Sequence, residues 1–405
     1  MSVETITLGC RLNYAESETM KRALDAKGEQ DLVIVNSCAV TAEAVRHTRQ
    51  AVRRARRDHP DARLLVTGCA AQIEPETFRA MPEVDALLGN ADKLHPAKIA
   101  NAVKDLPSDV MTAKADPVAA GFQGKVRSFV SVQNGCDHRC TFCTIPYGRG
   151  NSRSLPYDEV RRAVAAELDR GVAEIVITGV DITSYDDNGA TLGAMLQRLL
   201  ADEPRLKRLR LSSIDSIEID GPLYELLAGD ERLLPHFHLS LQAGDDMILK
   251  RMKRRHSRAQ AVAIVDKIKA ARPETTIGAD LIAGFPTETE EMALNTLKLL
   301  DDCDIVAAHI FPFSPREKTP AARMPQLDRQ LIKRRAARLR RRAAERRRAW
   351  LDAQVGTVQP ALIENHGKGH TDAFAPIMVE GAARGAYGKV RITGATDSFL
   401  TGTFE

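Results

Sequence analysis

Short apolar runs alternate with longer amphipathic segments along most of this 405-residue chain. In the first part, the runs VETITLG, DLVIVNS, RLLVTG and VDALLG predict strands, and the segments near 15–27, 41–58, 72–81 and 93–103 predict helices. This alternation is typical of a parallel sheet that is covered by helices. Residues 1–105 are therefore predicted to form an α/β domain with a flavodoxin-like or Rossmann-like sheet.

The alternation stops at 106–124 and then resumes. Proline and small residues in LPSDVMTAKADPVAAGFQG indicate a linker. Between residues 125 and 325 there follow six apolar runs, VRSFVSVQ, AEIVITG, RLRLSSI, HFHLSLQ, TTIGADLIAG and IVAAHIFPF, which predict a partial (β/α)6 barrel of the TIM type. Residues 355–405 are rich in short Gly, Thr and Val runs and predict a small antiparallel β domain of OB-like size.

Positive charge is concentrated in one segment between the barrel and the β domain. The formal net charge is only +4, yet 331–350 holds ten Lys and Arg residues against Glu345 alone. Ile332, Ala336 and Leu339 recur at helical spacing, so 326–354 is predicted to be a linker helix. A solvated helix is one interpretation. A helix that faces a polyanion is favoured, because ten unpaired cations repel one another unless phosphate neutralises them.

The composition suggests a folded protein of the cytoplasm. Apolar residues make up 43% of the chain, which is enough for several cores. No apolar run approaches the roughly 18 residues of a membrane helix, and the N-terminus does not read as a signal peptide. Cytoplasmic thiols are normally reduced, so clustered cysteines indicate metal binding or catalysis. The isolated Cys303 is expected to be a plain buried residue.

Three of the seven cysteines follow predicted strands of the first domain. Cys10, Cys38 and Cys69 come after TITLG, LVIVNS and LLVTG. The carboxyl ends of parallel strands meet at one edge of a sheet, where such sheets bind ligands, so the three thiols should converge. Each has a small neighbour that leaves room for a bulky inorganic ligand: Gly9, Ser37 and Gly68. The alternative is three unrelated buried cysteines.

Three further cysteines form the motif CxxxCxxC in the stretch NGCDHRCTFCTIP. Cys136, Cys140 and Cys143 follow the first barrel strand, on the face where barrel enzymes carry their active sites. Zinc would need a fourth ligand, for which Asp137 and His138 are candidates inside the loop. A 4Fe–4S cluster held by three cysteines leaves one iron free for a substrate or cofactor. The spacing favours iron–sulfur, and zinc stays open.

The motif, with Phe142 before its last cysteine, resembles the radical S-adenosylmethionine (SAM) superfamily. With the upstream three-cysteine domain and the C-terminal β domain, nearly the whole chain resembles the methylthiotransferase branch. TLGCRLNYAESE, SLQAGDDMILKRMKRRHS and HIFPFSPREKTPAARM are similar to the bacterial enzymes that methylthiolate threonylcarbamoyladenosine at position 37 of tRNA. The C-terminal domain departs from the pattern, since it is short for the TRAM domain usual in this branch.

The resemblance implies roles for individual residues. Cys136, Cys140 and Cys143 would bind the radical-generating 4Fe–4S cluster, and Cys10, Cys38 and Cys69 an auxiliary 4Fe–4S cluster that holds the sulfur. The segment TGVD (178–181) matches the motif that binds the methionyl amino group of SAM, and Glu288 is expected to be structural. The implied SAM-binding residues are Phe142, Gly179, Asp181, Ser213, Gln242, Arg254 and Gly284, the last allowing close approach to adenine.

The implied reaction replaces hydrogen on an adenine carbon by a methylthio group. That C–H is too weakly acidic for a side-chain base, so the cofactor must supply a radical. One SAM would methylate the sulfur, and a second would give a 5′-deoxyadenosyl radical. The implied partners are the tRNA anticodon stem-loop and a one-electron donor such as a flavodoxin or ferredoxin. The arginines expected to contact RNA are Arg340, Arg341, Arg342, Arg346, Arg347 and Arg348.

Several alternatives remain. The same chemistry could act on isopentenyladenosine in tRNA or on a ribosomal-protein aspartate. A non-catalytic, zinc-stabilised RNA-binding module is an alternative of another class. An electron carrier is disfavoured, because neither cysteine set reaches the four ligands of a closed cluster.

Overall fold

The computed structural model of the chain describes residues 3–113 and 126–405. Residues 114–124 of the predicted linker, and residue 125 at the predicted start of the barrel, lie outside these ranges. The other predicted domain boundaries stay predictions, because the bounds of helices and strands do not show which segments fold independently.

The N-terminal part contains the predicted parallel sheet, in the order β1-β2-β3-β4. Neighbouring positions on β2 enter different cores, Val33 and Val35 on one face and Leu32 and Ile34 on the other. The sheet is therefore buried on both faces, as in helix-covered parallel sheets. Its strands are Glu4–Thr7, Leu32–Ser37, Arg63–Gly68 and Ala86–Leu87 (β1 to β4).

The helices of this part differ in detail from the predicted ones. The first begins at Arg11 rather than near residue 15, directly after Cys10. The segment 72–81 forms two short helices, because Pro75 lacks the N–H that a continuous helix would need and instead begins the second. The helices are Arg11–Asp25, Ala42–Asp58, Cys69–Ile73, Pro75–Arg79 and Pro96–Ala100 (α1 to α5).

The central part has the six predicted barrel strands. They form the parallel sheets β5-β8-β9 and β10-β11-β12-β13, and only Ser212 separates β9 from β10. Strands β5 and β13 do not pair with each other, so the barrel is open on one side. The strands are Arg127–Ser131, Glu174–Thr178, Leu209–Leu211, Ser213–Ile214, His236–Gln242, Thr276–Ala283 and Ile305–Pro312 (β5, β8 to β13); Gln133–Asn134 and Arg153–Ser154 (β6, β7) form a small ribbon.

Helices cover the outside of this barrel. Their apolar faces and the outward residues of the strands form one large core, which includes Cys303. The predicted burial of Cys303 is thus confirmed. Ile145–Arg149 (α6) instead follows the cysteine loop and packs against α3. The covering helices are Tyr157–Asp169, Leu192–Asp202, Gly221–Gly229, Asp246–Met252, Arg258–Ala271 and Glu290–Asp302 (α7 to α12).

The C-terminal part is a closed five-stranded barrel in the order β14-β15-β16-β18-β17. The predicted antiparallel arrangement is wrong for one pair, since β16 and β18 run parallel. A closed ring with an odd number of strands cannot alternate direction throughout, so one parallel pair is required. The strands are Val358–Asn365, Lys368–Thr371, Pro376–Met378, Tyr387–Ala395 and Leu400–Phe404 (β14 to β18).

This small barrel closes the amino-terminal end of the central barrel. The Phe374 ring, on the β15–β16 loop, stacks on His236 with 4.8 Å between ring centroids. Arg208 forms an ion pair with Asp372, and Thr276 Oγ1 donates to the Ala373 carbonyl at 2.7 Å. The two bodies therefore share a polar and aromatic junction.

The basic helix α13 spans Arg329–Asp352 and joins the two barrels. It packs Ile332, Ala336 and Leu339 inward, as its apolar spacing predicts. The premise that its cations are unpaired is wrong. Carboxylates on and beside α12 pair with several of them, for example Asp301 with Arg342 at 2.6 Å. The sequence pattern of one helix could not show these partners.

Candidate active site between two cysteine sets

The first cysteine set lies where the strand pattern predicts it. Cys10 caps α1, Cys38 follows β2, and Cys69 begins α3, so all three lie at the carboxyl edge of the sheet. Cys38 and Cys69 are buried and Cys10 is exposed. Burial, with a smaller effect of the nearby Cys69 and Cys10 thiols, raises the pKa of the Cys38 thiol to about 11. The three thiols therefore belong to one site.

The small neighbours of these cysteines pack the strand ends closely. A Cβ on Gly9, whose φ is +104°, would lie 2.7 Å from Cys38 Cβ. Ser37 Oγ accepts hydrogen bonds from Ala70 N and Ala71 N at 3.0 and 3.2 Å. These residues thus let the strand ends pack together and hold α3, and the room that they leave for a ligand stays a prediction.

Two asparagines that the sequence analysis missed complete the walls of this site. Asn13 Nδ2 donates to the Leu8 and Ser37 carbonyls at 2.7 and 3.0 Å, which fixes the loop that carries Cys10. Asn90 Nδ2 lies 3.7 Å from Cys69 Sγ and donates to the Gly148 carbonyl at 2.5 Å. Asn13 stands one helical turn after Cys10, a spacing that could have identified it.

A buried charge network lies beneath the first set. Glu16 is 3% exposed and binds both Lys93 Nζ at 2.5 Å and Arg149 Nη1 at 2.8 Å. Arg149 Nη2 also donates to Asn13 Oδ1 at 2.5 Å. Burial alone would raise the pKa of Glu16. The opposing effect of Arg149 and Lys93 is larger, so the pKa of Glu16 is lowered to about 2. The network has two cations and one carboxylate, and it joins α6 of the central barrel to α1.

The second cysteine set lies in the loop after β5, which several hydrogen bonds hold. Cys136 N donates to the Gly150 carbonyl at 3.1 Å, and Thr141 N to the Met252 carbonyl at 3.0 Å. Gln133 Oε1 accepts from Val180 N and Asp181 N at 3.1 and 2.9 Å. Gln133 therefore ties the cysteine loop to the TGVD turn, a link that the sequence analysis missed.

Asp181 and His138 form an ion pair beside Cys136. His138 Nε2 lies 2.8 Å from Asp181 Oδ2, and that oxygen is 3.7 Å from Cys136 Sγ. The hydrogen bond to Asp181, followed by that to Glu218, raises the pKa of His138 to about 10. Burial raises the pKa of Asp181, but this histidine lowers it more. Gly179 lies in the same turn, where a Cβ would meet the Gln133 carbonyl oxygen at 2.7 Å.

The other predicted SAM residues surround the mouth of the barrel. Arg254 Nη2 donates to Asp215 Oδ2 at 2.9 Å and to the Ser240 carbonyl at 2.7 Å, while Nη1 lies 3.7 Å from Cys140 Sγ. Ser213 Oγ is 3.0 Å from Ser240 Oγ. Gln242 ends β11 with a φ of +67°. These side chains lie near the second cysteine set, and their contact with SAM stays a prediction.

The aromatic Phe142 and the strand of Gly284 meet on another side of the loop. The Phe142 ring packs edge-on against Phe285, with 6.5 Å between centroids. The close approach at Gly284 is to Ile332 of α13, whose Cγ1 would lie 2.6 Å from an added Cβ. Packing against α13 therefore favours glycine at this position, and the approach of Gly284 to adenine stays a prediction. Glu288 accepts from Gly284 N at 3.2 Å, in keeping with a structural role.

The donor sets suit iron–sulfur clusters better than zinc. Tetrahedral zinc holds its thiolates about 3.8 Å apart. Among the described residues, neither complete cysteine set belongs to the groups of ligand atoms that lie within 4.8 Å of one another. Asp137 Oδ1 accepts from Ser152 N at 3.0 Å, so this candidate fourth ligand is engaged elsewhere. The buried atoms Asp215 Oδ1 and Arg254 Nε lack partners in the described structure, which leaves polar capacity near Cys140.

The open side of the barrel is lined with polar and aromatic side chains. Asp280 Oδ1 lies 3.0 Å from His238 Nε2 and 3.2 Å from His309 Nδ1. His309 and Phe311, on the edge strand β13, are exposed. The open side therefore offers both stacking surfaces and hydrogen-bonding groups to a planar polar ligand.

The six predicted RNA-binding arginines lie along α13 and differ in their contacts. Arg342 and Arg346 pair with Asp301, and Arg348 with Asp352 and Asp397. Arg340 and Arg347 donate to the Ile310 and Ser398 carbonyls. Arg341 is exposed and, within the part of the chain that the structure describes, has no ion pair. Electrostatic binding of RNA by this helix stays a prediction.

Comparison with known proteins agrees with the two cysteine-bearing parts. The Radical SAM superfamily matches residues 130–300, and the uncharacterized protein family UPF0004 matches residues 2–89. The chain is 45% identical to the threonylcarbamoyladenosine tRNA methylthiotransferase MtaB of Rickettsia prowazekii, over 98% of this chain and 96% of that protein. The chain belongs to the radical SAM methylthiotransferase family. The predicted resemblance and enzyme class are confirmed.

Other members of the family cover the chain as fully. The chain is 34% identical to the MtaB protein of Aquifex aeolicus, over 94% of this chain and 97% of that protein. It is 33% identical to a tRNA-2-methylthio-N(6)-dimethylallyladenosine synthase of Cereibacter sphaeroides, over 98% and 97% respectively. Both kinds of relative modify tRNA according to their names, so the family alone leaves the choice of adenine derivative to further evidence.

A solved structure supports the fold. The radical SAM methyltransferase TsrM of Kitasatospora setae aligns with a TM-score of 0.60 and 14% identity, over 80% of this chain and 75% of that protein. This confirms the predicted α/β fold class. Across the described residues, no helix is both long and apolar enough to span a membrane.

Proposed function

We propose that this protein transfers a methylthio group to C2 of N6-threonylcarbamoyladenosine at position 37 of tRNA, using SAM and two 4Fe–4S clusters. The observation that carries the proposal is the meeting of two three-cysteine sets across the α1–α6 contact. A 4Fe–4S cluster held by either set would have one iron without a cysteine ligand, which suits a site that binds an exchangeable group. The high identity to the Rickettsia protein supports the choice of adenine derivative.

The bound groups would supply the chemistry, and the chain would position it. SAM and the clusters supply the electron and the radical that removal of the C2 hydrogen requires. Arg254 and Asp215 would orient the carboxylate and amino group of SAM beside Cys140. Gln133, Asp181 and His138 hold the cysteine loop against the TGVD turn. The N-terminal sheet covers the barrel mouth and keeps bulk water from the reacting base.

The proposal includes partners. The anticodon loop is single-stranded, so its base can be splayed into the open side of the barrel at a modest free-energy cost. Exposed cations of α13 would attract the phosphates, with the small β-barrel beside them. A flavodoxin-like or ferredoxin-like protein of the cytoplasm would donate the electrons.

Two experiments test the proposal. Anaerobically reconstituted protein should be brown and hold about eight irons per chain, against about four in the Cys38→Ala and Cys140→Ala variants. The Cys140→Ala variant should lose SAM cleavage, whereas the Cys38→Ala variant should keep SAM cleavage and lose methylthiolation. Normal product from either variant, or colourless zinc protein, would refute the scheme.

Mass spectrometry of tRNA nucleosides identifies the substrate. A strain that lacks this protein should accumulate threonylcarbamoyladenosine, and the plasmid-borne wild type should restore its methylthio derivative. Accumulation of the dimethylallyl derivative instead would move the protein to that substrate. Unchanged tRNA, with loss of a modified ribosomal aspartate, would favour the protein-directed alternative.

A further inference from the structure

Arg11 reaches from the first cysteine set into the open side of the central barrel. It directly follows Cys10 and begins α1. Its Cζ lies 5.6 Å from the centre of the Phe129 ring on β5 and 5.9 Å from the centre of the Phe374 ring. One ring belongs to the strand that leads to the second cysteine set, and the other to the loop that closes the barrel. The guanidinium therefore lies between the walls of the lumen.

The cations around Arg11 already have carboxylate partners. Arg127 pairs with Glu364 at 2.7 Å, and Arg210 pairs with Glu174 at 2.8 Å. Within the described residues, Arg11 contacts the two aromatic rings and forms no ion pair with a carboxylate. Desolvation lowers the pKa of Arg11, and repulsion from Arg127 and Arg210 lowers it further; attraction by the more distant Glu174 and Glu364 carboxylates offsets only part of this lowering. An anion is the missing partner of this cation.

The position is open to a ligand. The side chain of Arg11 keeps access to solvent although protein groups surround it. The first turn of α1 contains no acidic residue that could compete for the guanidinium. The N-terminal end of a helix also favours negative charge. A small anion that enters through the open side of the barrel can therefore reach Arg11.

We propose that Arg11 binds the carboxylate of the threonylcarbamoyl group that the substrate adenine carries on N6. This inference rests on the proposed function and names a residue that selects the substrate. An α-carboxylate titrates near pH 3.5, so it is ionised at neutral pH. A guanidinium binds it through charge-assisted hydrogen bonds.

The subsite discriminates against the other adenine derivative. A dimethylallyl group has no charge, so its binding would bury Arg11 further without giving it an anion, which is unfavourable. Because Arg11 is covalently adjacent to Cys10, the carboxylate would be held at a fixed reach from the first cysteine set. The same contact therefore selects the substituent and positions the base.

The test compares two RNAs on the holoenzyme with both clusters. One is the anticodon stem-loop with threonylcarbamoyladenosine at position 37, and the other has its carboxylate replaced by the neutral primary amide. Dissociation constants are measured at fixed salt for the wild type, Arg11→Gln and Arg11→Lys. The control is Arg162→Gln, which removes the same charge from the exposed face of α7, where Arg162 donates to the Asp158 carbonyl of its own helix and, among the described residues, forms no ion pair.

We expect the wild type and the Arg162→Gln variant to bind the carboxylate RNA about 10- to 100-fold more tightly than the amide RNA. Arg11→Gln should bind both RNAs equally, with an amide affinity close to that of the wild type. Arg11→Lys should keep part of the preference, because it keeps the charge without the planar fork.

Two results would overturn the inference while the proposed function stands. One is a wild type that methylthiolates the carboxylate RNA but binds both RNAs equally, a result that needs no variant to fold. The other is an Arg11→Gln variant with normal iron content and an undiminished preference. A wild type that does not methylthiolate the carboxylate RNA at all would remove the proposed function, and this inference with it.

Discussion

Substitution of Glu16 by Gln should weaken the contact between the two cysteine-bearing parts. Among the described residues, Glu16 is the single carboxylate that pairs with Lys93 and Arg149 in a buried network. Removing one partner of a buried ion pair costs about 3–5 kcal/mol, because a charge stays buried without compensation. A drop in the pKa of Glu16 from its ordinary 4.5 to about 2 gives a similar value, about 3 kcal/mol.

The sign of the pH dependence follows from this lowered pKa. The stabilisation is complete above pH 4.5, where the carboxylate is ionised in the folded and unfolded protein alike. It is lost as the pH falls from about 4.5 towards 2, where the unfolded chain takes up a proton that the folded chain excludes. The Glu16→Gln variant should lack this contribution to the pH dependence.

Native-state hydrogen exchange measures the effect locally, which matters because a chain with several parts need not unfold in one step. Amides of α1 should exchange about 100-fold faster in Glu16→Gln, as a loss of about 3 kcal/mol requires. The Arg162→Gln control should change exchange in α1 by less than about threefold. Protection of α1 in Glu16→Gln within threefold of the wild type would refute the reasoning.

Three further predictions concern other parts of the molecule. Glu174→Gln should lower the free energy of unfolding by about 3–5 kcal/mol in urea titrations, since it leaves the buried Arg210 without a carboxylate partner among the described residues. Gly284→Ala should lower the melting temperature in calorimetry, and Ile332→Ala should relieve part of that loss by removing the clash. Arg341→Gln should weaken tRNA binding and reduce its salt slope by about one, whereas Arg342→Gln should mainly lower stability, because Asp301 already neutralises Arg342. Equal salt slopes in the two variants would contradict the last prediction.

The sequence predicted the elements and the cysteine positions because both depend on local patterns. Strand ends place Cys10, Cys38 and Cys69 at one edge whatever the helices do, and the CxxxCxxC spacing lies within one loop. The pairing of Glu16 with Arg149 joins residues 133 positions apart, and no local pattern records it. The role of Gly284 likewise depends on Ile332, which belongs to another element.

The charge of α13 illustrates the same limit in the opposite direction. Its arginines looked unpaired because their carboxylate partners belong to another part of the chain. Arg335, Arg342 and Arg346, for example, pair with carboxylates on α12 or just after the end of α12. Counting charges along one helix therefore overstated the field available to RNA. The exposed Arg341 and the lumen residue Arg11 are better indicators of anion binding, since each lacks a carboxylate partner among the described residues.

Helix α6 works as a spacer of fixed length between the two cysteine sets. Thr144 Oγ1 contacts the Ala39 carbonyl at 3.5 Å, Gly148 faces Cys69, and Arg149 enters the network of Glu16, all within six residues of Cys143. A stretch of chain shorter than two helical turns therefore fixes the distance between the two cysteine sets. We therefore expect insertions and deletions among homologues to be rarer in this stretch than in most other parts of the chain.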